Sequence, residues 1–148
     1  MEIERKFLID KDAFDYERYP HKELVQGYLN TSPVVRVRRE GDEYYLTYKG
    51  SGLMIREEHN LPLTKEAFEH LITKSDGNII KKKRFFIPLC DLTVELDEFA
   101  PPFAPLLMAE VEFSSKEEAE NFIPPKWFGK EVTNDPRYHN SNMASKVF

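Results

Sequence analysis

Residues 34–49 read VVRVRREGDEYYLTYK, and the alternation in this stretch decides the fold. A Gly-Asp dipeptide in its middle is a signal for a tight turn. Before the turn, Arg36 and Arg38 share one face of an extended chain, and valines occupy the other face. After the turn, Thr47 and Lys49 share a face in the same way, opposite Leu and Tyr side chains. The stretch therefore predicts an antiparallel hairpin with one charged face.

The same period of two recurs in short runs along the chain, separated by further turn signals. We predict strands over residues 2–9, 24–29, 34–40, 43–49, 54–62, 79–87, 91–99 and 106–113. Helices are predicted over residues 11–18, 64–74, 115–121 and 137–147. Closing the strands into a ring would remove their exposed edges. The predicted fold is α+β but mainly β, an eight-stranded antiparallel barrel with a few helices packed outside and at one end.

Charged side chains occupy one parity of nearly every predicted strand. Acids form i, i+2 pairs at Glu2/Glu4, Glu95/Asp97 and Glu110/Glu112, and bases form such pairs at Arg36/Arg38 and Lys82/Arg84. One interpretation is a solvated outer face, as in most antiparallel sheets. The other is a charged interior, which we favour because neighbouring carboxylates repel one another unless a cation lies between them. Carboxylates suit Mg²⁺ or Mn²⁺, and arginine and lysine suit phosphate, so a polyphosphate with a metal is the predicted ligand.

Composition excludes several other classes of protein. The length of 148 residues predicts a single domain over residues 1–148, and the formal net charge of −5 argues against general nucleic-acid binding. The only cysteine, Cys90, excludes an internal disulfide and a cysteine-based zinc site. We find neither a signal peptide nor an apolar run near the roughly 20 residues that span a bilayer. We therefore expect a cytoplasmic protein with no membrane or nucleic-acid partner.

With these residues placed, the chain resembles the CYTH family of triphosphate tunnel metalloenzymes. The motifs that carry the resemblance are EIERKF at 2–7, QGYL at 26–29, VRVR at 35–38, YLTYK at 45–49, KKR at 82–84 as Lys82-Lys83-Arg84, ELD at 95–97, EVEF at 110–113, WFGKEVT at 127–133 and RYHN at 137–140. The resemblance implies an eight-stranded tunnel, a triphosphate substrate and a requirement for Mg²⁺ or Mn²⁺. One departure is Asn60, where relatives often have a glutamate, and this puts a second metal site in doubt.

The residues and the resemblance together suggest roles. Glu2, Glu4, Glu110 and Glu112 are predicted metal ligands, with Glu58, Glu95 or Asp97 assisting. The predicted substrate-binding residues are Lys6, Arg36, Arg38, Lys49, Lys82 and Arg84. Lys6 and Tyr28 are the predicted catalytic residues, a pair that would activate or orient water; a metal-bound water held by a glutamate is the competing nucleophile. Arg39 and Lys83 have the opposite parity and are expected outside.

The short chain and its opening motif most resemble the small bacterial triphosphatases of the family. We therefore predict metal-dependent hydrolysis of inorganic tripolyphosphate to pyrophosphate and phosphate. The alternatives are a thiamine or nucleoside triphosphatase, a class IV-type adenylate cyclase, and a non-catalytic polyphosphate-binding module. The expected partner is a small-molecule triphosphate. An exposed barrel seam would support a homodimer, although no feature of the sequence requires one. Residues 137–146 are expected to close one end of the tunnel.

Overall fold

The computed structural model describes residues 1–147, which form ten β-strands and three α-helices. The strands are β1 (Glu2–Ile9), β2 (His21–Thr31), β3 (Val34–Glu40), β4 (Glu43–Lys49), β5 (Ile55–Arg56), β6 (Glu58–Pro62), β7 (Asp76–Leu89), β8 (Leu92–Phe99), β9 (Leu107–Glu112) and β10 (Phe128–Glu131). The helices are α1 (Lys65–Ile72), α2 (Lys116–Asn121) and α3 (Asn140–Ala144), with short 3₁₀ turns at Tyr16–Arg18 and Pro136–Tyr138. None of the helices in this part of the chain is long and apolar enough to cross a membrane.

The strands form a nearly closed antiparallel barrel. Their order is β1-β9-β8-β7-β2-β3-β4-β6, and the ring closes where Glu2 and Ile3 of β1 pair with β5, which directly precedes β6. Because β5 and β6 are two halves of one extended run, the ring has eight positions. This confirms the predicted mainly β, eight-stranded antiparallel barrel. The closure also leaves β1 paired on both edges, with β9 on one side and β5 on the other.

Four elements differ from the sequence predictions, three of them in the first half of the chain or next to β1. The predicted strand 54–62 is divided into β5 and β6 at Glu57. Strand β10 was not predicted, because its four residues lack a buried alternating face; it pairs with the second half of β1. The predicted helix 11–18 forms only the Tyr16–Arg18 turn. Here tertiary packing overrides local preference, since Phe14 stacks on Trp127 at 4.1 Å and buried Tyr16 packs against Phe85.

Helices α1 and α2 begin where the sequence indicated. The Thr64 hydroxyl accepts a hydrogen bond from the Ala67 amide, and the Ser115 hydroxyl accepts one from the Glu118 amide. Each hydroxyl thereby satisfies one of the free amides of a first helical turn. The predicted helix 137–147 is instead a 3₁₀ turn followed by α3, with the extended residue His139 between them.

The barrel has an apolar end, and α3 packs at that end. Along β1, β7, β8 and β9, positions of one parity change from charged to apolar, reaching Leu8, Ile80, Phe99 and Met108. These side chains form a cluster with Met143 and Ala144 of α3. Gly77 has a φ of 70°, and a Cβ there would overlap the carbonyl oxygen of Ala144. The glycine therefore lets α3 approach β7, and α3 closes this end.

A second apolar cluster lies on the outer face of the barrel. It includes Phe85, Leu96 and Val111 from three adjacent strands and Phe113 directly after β9, packed with Ala119 of α2. The 10–20 segment and the aromatic residues before β10 cover the same cluster. Because this outer face already supplies a hydrophobic core, the opposite face of the same strands is free to carry charge inside the barrel.

Candidate active site

A cavity of about 370 Å³, hereafter the tunnel, occupies the interior of the barrel. The structure places nearly all the predicted site residues on its wall. They are Glu2, Glu4, Lys6, Tyr28, Arg36, Arg38, Lys49, Glu58, Lys82, Arg84, Glu95, Glu110 and Glu112. Asp97 is the exception. Arg39 and Lys83, which have the opposite parity, line a separate groove. The charged parity of the strands therefore faces inward.

The register of the strands places acids beside bases and, at one pair, beside another acid. Glu4 pairs with Glu112, and Lys6 pairs with Glu110, across the β1–β9 ladder. The Lys6 ammonium lies 3.6 Å from the Glu4 carboxylate and 3.7 Å from that of Glu110. Lys49 lies 3.0 Å from Glu2 and 3.3 Å from Glu58. For Lys6, Lys49 and their glutamate partners, the opposite charge nearby offsets part of the cost of burial.

Asp97 lies behind the tunnel wall rather than in the tunnel. It is fully buried, and its two carboxylate oxygens accept hydrogen bonds from Arg84 Nε at 2.8 Å and Nη2 at 3.0 Å. Its Oδ2 also lies 2.8 Å from Lys82 Nζ. Burial would raise the Asp97 pKa, but Arg84 and Lys82 outweigh that effect and lower it. This geometry suits Asp97 to holding two cations in place and leaves it no free oxygen for a metal.

Three acids of the tunnel are only partly neutralised, whereas nearby cations and hydrogen bonds outweigh burial and lower the pKa values of Glu110 and Glu58. Burial and repulsion by Glu4 raise the pKa of Glu2 to about 8. Burial and the nearby Glu110 carboxylate likewise raise the Glu4 pKa. The pKa of Glu112 is raised by burial and by Glu58 and Glu95. Such a cluster has more negative charge than its lysines neutralise, and an additional cation would relieve it.

The donor set of the tunnel fits a divalent cation such as Mg²⁺ or Mn²⁺, since these hard cations prefer carboxylate oxygens. Within residues 1–147, however, no three acidic or histidine side chains already converge as a ligand set. The ammonium groups of Lys6 and Lys49 lie between the glutamates instead. Binding a metal at these glutamates therefore requires their side chains, or the lysines, to change rotamer.

The opposite part of the tunnel has an excess of positive charge. Burial, with Arg36 and Arg84 nearby, lowers the pKa of Arg38 to about 9. Burial lowers that of Lys82 to about 7, although Asp97 opposes the shift. Arg36 is 6% exposed, and its Nε is the only buried side-chain nitrogen or oxygen atom in residues 1–147 without a hydrogen-bond partner. Since a guanidinium nitrogen is only a donor, this part of the tunnel suits an anion with several acceptor oxygens.

Sequence reasoning missed several polar residues of the site. Gln26 is fully buried, and its amide contacts Arg38, Tyr28 and Asn140. Thr47 accepts a hydrogen bond from Arg36 and donates one to Asn60. Gln26 has the same strand parity as Tyr28, which was the available signal. Asn140 comes from the C-terminal segment, and no pattern in the sequence could have connected it with β2.

The surroundings of the predicted catalytic residues differ from the expectation in one respect. Burial would lower the Lys6 pKa, but Glu110, Glu4 and Glu2 together raise it. Lys6 is therefore held as a cation in this state, whereas activating water by taking its proton would need the neutral amine. Tyr28 is buried on the tunnel wall, and its hydroxyl has Gln26 as its hydrogen-bond partner.

A nearly closed β-barrel with opposed acids and bases in its interior defines a charged-tunnel protein. Residues 1–142 match the CYTH domain, and the chain belongs to the CYTH domain family. It is 41% identical to the inorganic triphosphatase of Nitrosomonas europaea, over 99% of this chain and 98% of that protein. It is 36% identical to the inorganic triphosphatase of Acetivibrio thermocellus, over 99% and 95%. The crystal structure of the inorganic triphosphatase NE1496 superposes with a TM-score of 0.73 at 38% identity, covering 99% of this chain and 96% of that one.

Proposed function

We propose that this protein is a Mg²⁺- or Mn²⁺-dependent inorganic triphosphatase, which hydrolyses tripolyphosphate to pyrophosphate and phosphate inside the tunnel. The observation that carries the proposal is the unsatisfied positive charge of the tunnel, where Arg36 Nε has no partner and Arg38 and Lys82 are crowded by other cations. A compact, highly charged anion would satisfy these groups. Two curated relatives of nearly the same length are inorganic triphosphatases, which supports the same substrate.

The substrate would be held by the cations that line the tunnel. We assign phosphoryl-oxygen contacts to Lys6, Arg36, Arg38, Lys49, Lys82 and Arg84. Arg84 is oriented from behind by Asp97, so its position is set before any ligand arrives. Catalysis of phosphoryl transfer depends mainly on positioning and on stabilising the charge that develops on the phosphoryl oxygens, and preorganised cations supply both.

The metal would be held by the glutamates at the acidic side of the tunnel. We assign Glu2, Glu4, Glu110 and Glu112 as ligands, with Glu58 or Glu95 assisting, and assign Asp97 to positioning. When bound, Mg²⁺ or Mn²⁺ would act as a Lewis acid and neutralise phosphoryl charge. Asn60 donates to Glu58 and accepts from Thr47, so it orients polar groups without adding negative charge.

Lys6 and Tyr28 are the proposed catalytic residues. Because carboxylates keep Lys6 protonated, we assign its ammonium to a phosphoryl oxygen that gains charge during cleavage. The Tyr28 hydroxyl would donate a hydrogen bond to the substrate or to the attacking water. A Tyr28→Phe variant with unchanged turnover would remove Tyr28 from this pair.

The test is phosphate release from tripolyphosphate, ATP and thiamine triphosphate with Mg²⁺ or Mn²⁺, with cyclic AMP measured in parallel. We expect tripolyphosphate to be the preferred substrate. Preference for ATP or thiamine triphosphate would identify an organic triphosphatase, cyclic AMP would identify a cyclase, and binding without turnover would identify a polyphosphate-binding module. Each of these results would overturn the proposal.

Adjacent arginines provide a matched pair of variants for the same assay. Arg38 faces the tunnel, whereas Arg39 lies on the opposite face of β3. We expect Arg38→Gln to lower kcat/KM about 100-fold, since it removes charge-assisted hydrogen bonds to the substrate. Arg39→Gln should retain the wild-type value. Equal effects of the two variants would show that inward orientation of the charge is irrelevant to function.

A further inference from the structure

Two neutral amides contact cations of the tunnel, Asn140 on its wall and Gln26 behind the wall. Gln26 of β2 is fully buried, and Asn140, the first residue of α3, is 8% exposed. They are 114 positions apart in the chain, and Gln26 Nε2 donates to Asn140 Oδ1 at 3.2 Å. We call Gln26 and Asn140 the amide pair. No role in the proposed reaction has yet been given to it, although its neighbours are proposed to bind substrate.

The hydrogen bonds of Gln26 leave only one orientation for its amide. Arg38 Nε donates to Gln26 Oε1 at 2.9 Å, and a guanidinium cannot accept a hydrogen bond. The oxygen of Gln26 must therefore face Arg38, and its nitrogen must face the other way. That nitrogen donates to Asn140 and, at 3.0 Å, to the Tyr28 hydroxyl oxygen.

This orientation also determines what Tyr28 can do. Because the Tyr28 oxygen accepts a hydrogen bond from Gln26, its own proton points to a different partner. Tyr28 lines the tunnel, so the proton is available to a group in the tunnel. Gln26 thus leaves the Tyr28 hydroxyl free to donate a hydrogen bond to a bound anion. Phosphoryl oxygens accept hydrogen bonds, so they suit this donor.

Asn140 acts on a second cation in the same way. Its Oδ1 accepts from Lys82 Nζ at 2.9 Å, in addition to the bond from Gln26. Lys82 is thereby held between a neutral oxygen and the carboxylate of Asp97. Through the amide pair, α3 at the closed end of the barrel fixes the direction of side chains on β2, β3 and β7.

The neutrality of the pair matters as much as its geometry. A carboxylate at either position would also orient Arg38 or Lys82, but it would cancel the positive charge that an anion needs. An amide oxygen orients a cation through its dipole and leaves the net charge unchanged. Behind the tunnel wall, the carboxylate of Asp97 holds Lys82 and Arg84, and the neutral amide of Gln26 holds Arg38. On the wall itself, the neutral amide of Asn140 holds Lys82.

We propose that Gln26 and Asn140 are positioning residues that act as one unit, orienting Tyr28, Arg38 and Lys82 toward a bound triphosphate without neutralising them. This inference rests on the proposed function for the identity of its ligand, because it assigns these residues a part in binding a triphosphate in the tunnel.

The test uses the isosteric variants Gln26→Glu and Asn140→Asp in the full chain. Each adds a carboxylate beside a crowded cation, so we expect the thermal midpoint of Asn140→Asp to stay the same or rise. Gln26→Glu also replaces the donor to the Asn140 oxygen by an acceptor, so its midpoint should be lower than that of Asn140→Asp. Affinity for tripolyphosphate, measured by calorimetry, should fall about tenfold or more, as expected for the loss of a hydrogen bond from a charged group. The matched control is Asn142→Asp, which adds the same charge to an exposed position of α3. It loses the hydrogen bond from the Asn142 amide to the Pro136 carbonyl, but within residues 1–147 that side chain has no hydrogen bond to a tunnel residue, so the variant should bind like the wild type.

A spectroscopic measurement separates this inference from the proposed function. With ¹³Cζ-labelled tyrosine and no ligand, the Tyr28 resonance, assigned from Tyr28→Phe, should shift in Gln26→Glu, because the phenol then donates to the introduced carboxylate. It should not shift in Asn142→Asp.

If the wild type binds tripolyphosphate without cleaving it, the proposed function fails while this inference stands. Wild-type affinity in both amide variants, or affinity lost only in proportion to a lowered thermal midpoint, would overturn the inference.

Discussion

Replacing Asp97 by Asn removes the negative charge that orients two cations of the tunnel. Asp97 is fully buried, and the side chains of Lys82 and Arg84 are 1% and 7% exposed. The variant keeps nearly the same shape and one carbonyl acceptor. It leaves Lys82 and Arg84 buried with a neutral partner where they had a carboxylate.

The expected cost follows from this burial. Removing one partner of a buried ion pair destabilises a protein by about 3–5 kcal/mol. We expect about 3 kcal/mol, the lower end, because the amide oxygen can still accept one hydrogen bond. Lys82, whose pKa is already lowered to about 7, can also lose its proton in the variant, which limits the penalty. For a domain of this size, that free energy corresponds to a thermal midpoint lower by roughly 6–12 °C.

The assay is reversible unfolding in urea at pH 7, repeated at lower pH. Because the native pKa of Asp97 is depressed, its contribution is fully present above the unfolded pKa of about 3.9 and is lost as the pH falls through the native pKa. The difference between wild type and variant should therefore shrink in acid. Asp91→Asn, at an exposed position in the turn before β8, is the matched control and should unfold like the wild type.

Two results would refute the reasoning. One is an Asp97→Asn protein whose free energy of unfolding at pH 7 lies within about 1 kcal/mol of wild type, below the range for a broken buried pair. The other is a destabilisation of equal size at pH 7 and at acid pH, which would show that the carboxylate charge is not the cause.

Three further predictions concern other parts of the molecule. Thr47→Val removes the hydroxyl that accepts from Arg36, so we expect a loss of about 1 kcal/mol in unfolding free energy and a higher KM for tripolyphosphate; an unchanged KM would contradict this. Glu131→Gln breaks a partly exposed pair with Arg5, whose hydrogen bonds lower the Glu131 pKa. Because solvent screens this pair, the variant should lose at most about 1 kcal/mol of unfolding free energy above pH 4.3, and none once the pH is below the native pKa of Glu131. Urea unfolding in a pH series tests this, and a loss that stays constant with pH would contradict it. Met143→Ala removes a buried side chain from the cluster under α3 and should lower the unfolding free energy by about 2–4 kcal/mol, whereas an unchanged value would mean that α3 does not close the barrel.

The charged face of the barrel could be predicted from the sequence because strand parity is a local property. Consecutive side chains of a strand point to opposite faces, so Arg36 and Arg38 were bound to share one face whatever the rest of the chain does. The turn signals likewise placed the hairpins, and the Thr64 and Ser115 hydroxyls placed the starts of α1 and α2. Strand β10 was missed because its four residues have no such alternation, and only β1 holds them.

Contacts between distant segments of the chain determine where the charged face points and which of its side chains pair. The pairing of Glu2 with Arg56 closes the ring, and the segments that pack on the apolar face leave the charged face inside. Glu95 lines the tunnel and Asp97 lies behind its wall, although both have the same strand parity. Their different positions come from how β7 and β8 pair, which parity does not reveal. The contact of Gln26 with Asn140 spans 114 positions and requires α3 to dock at the end of the barrel. The sequence by itself determined which side chains share a face, since that depends on neighbours two residues apart. The tertiary structure alone decided which faces meet and which charges pair, since those depend on closing a ring of strands far apart in the chain.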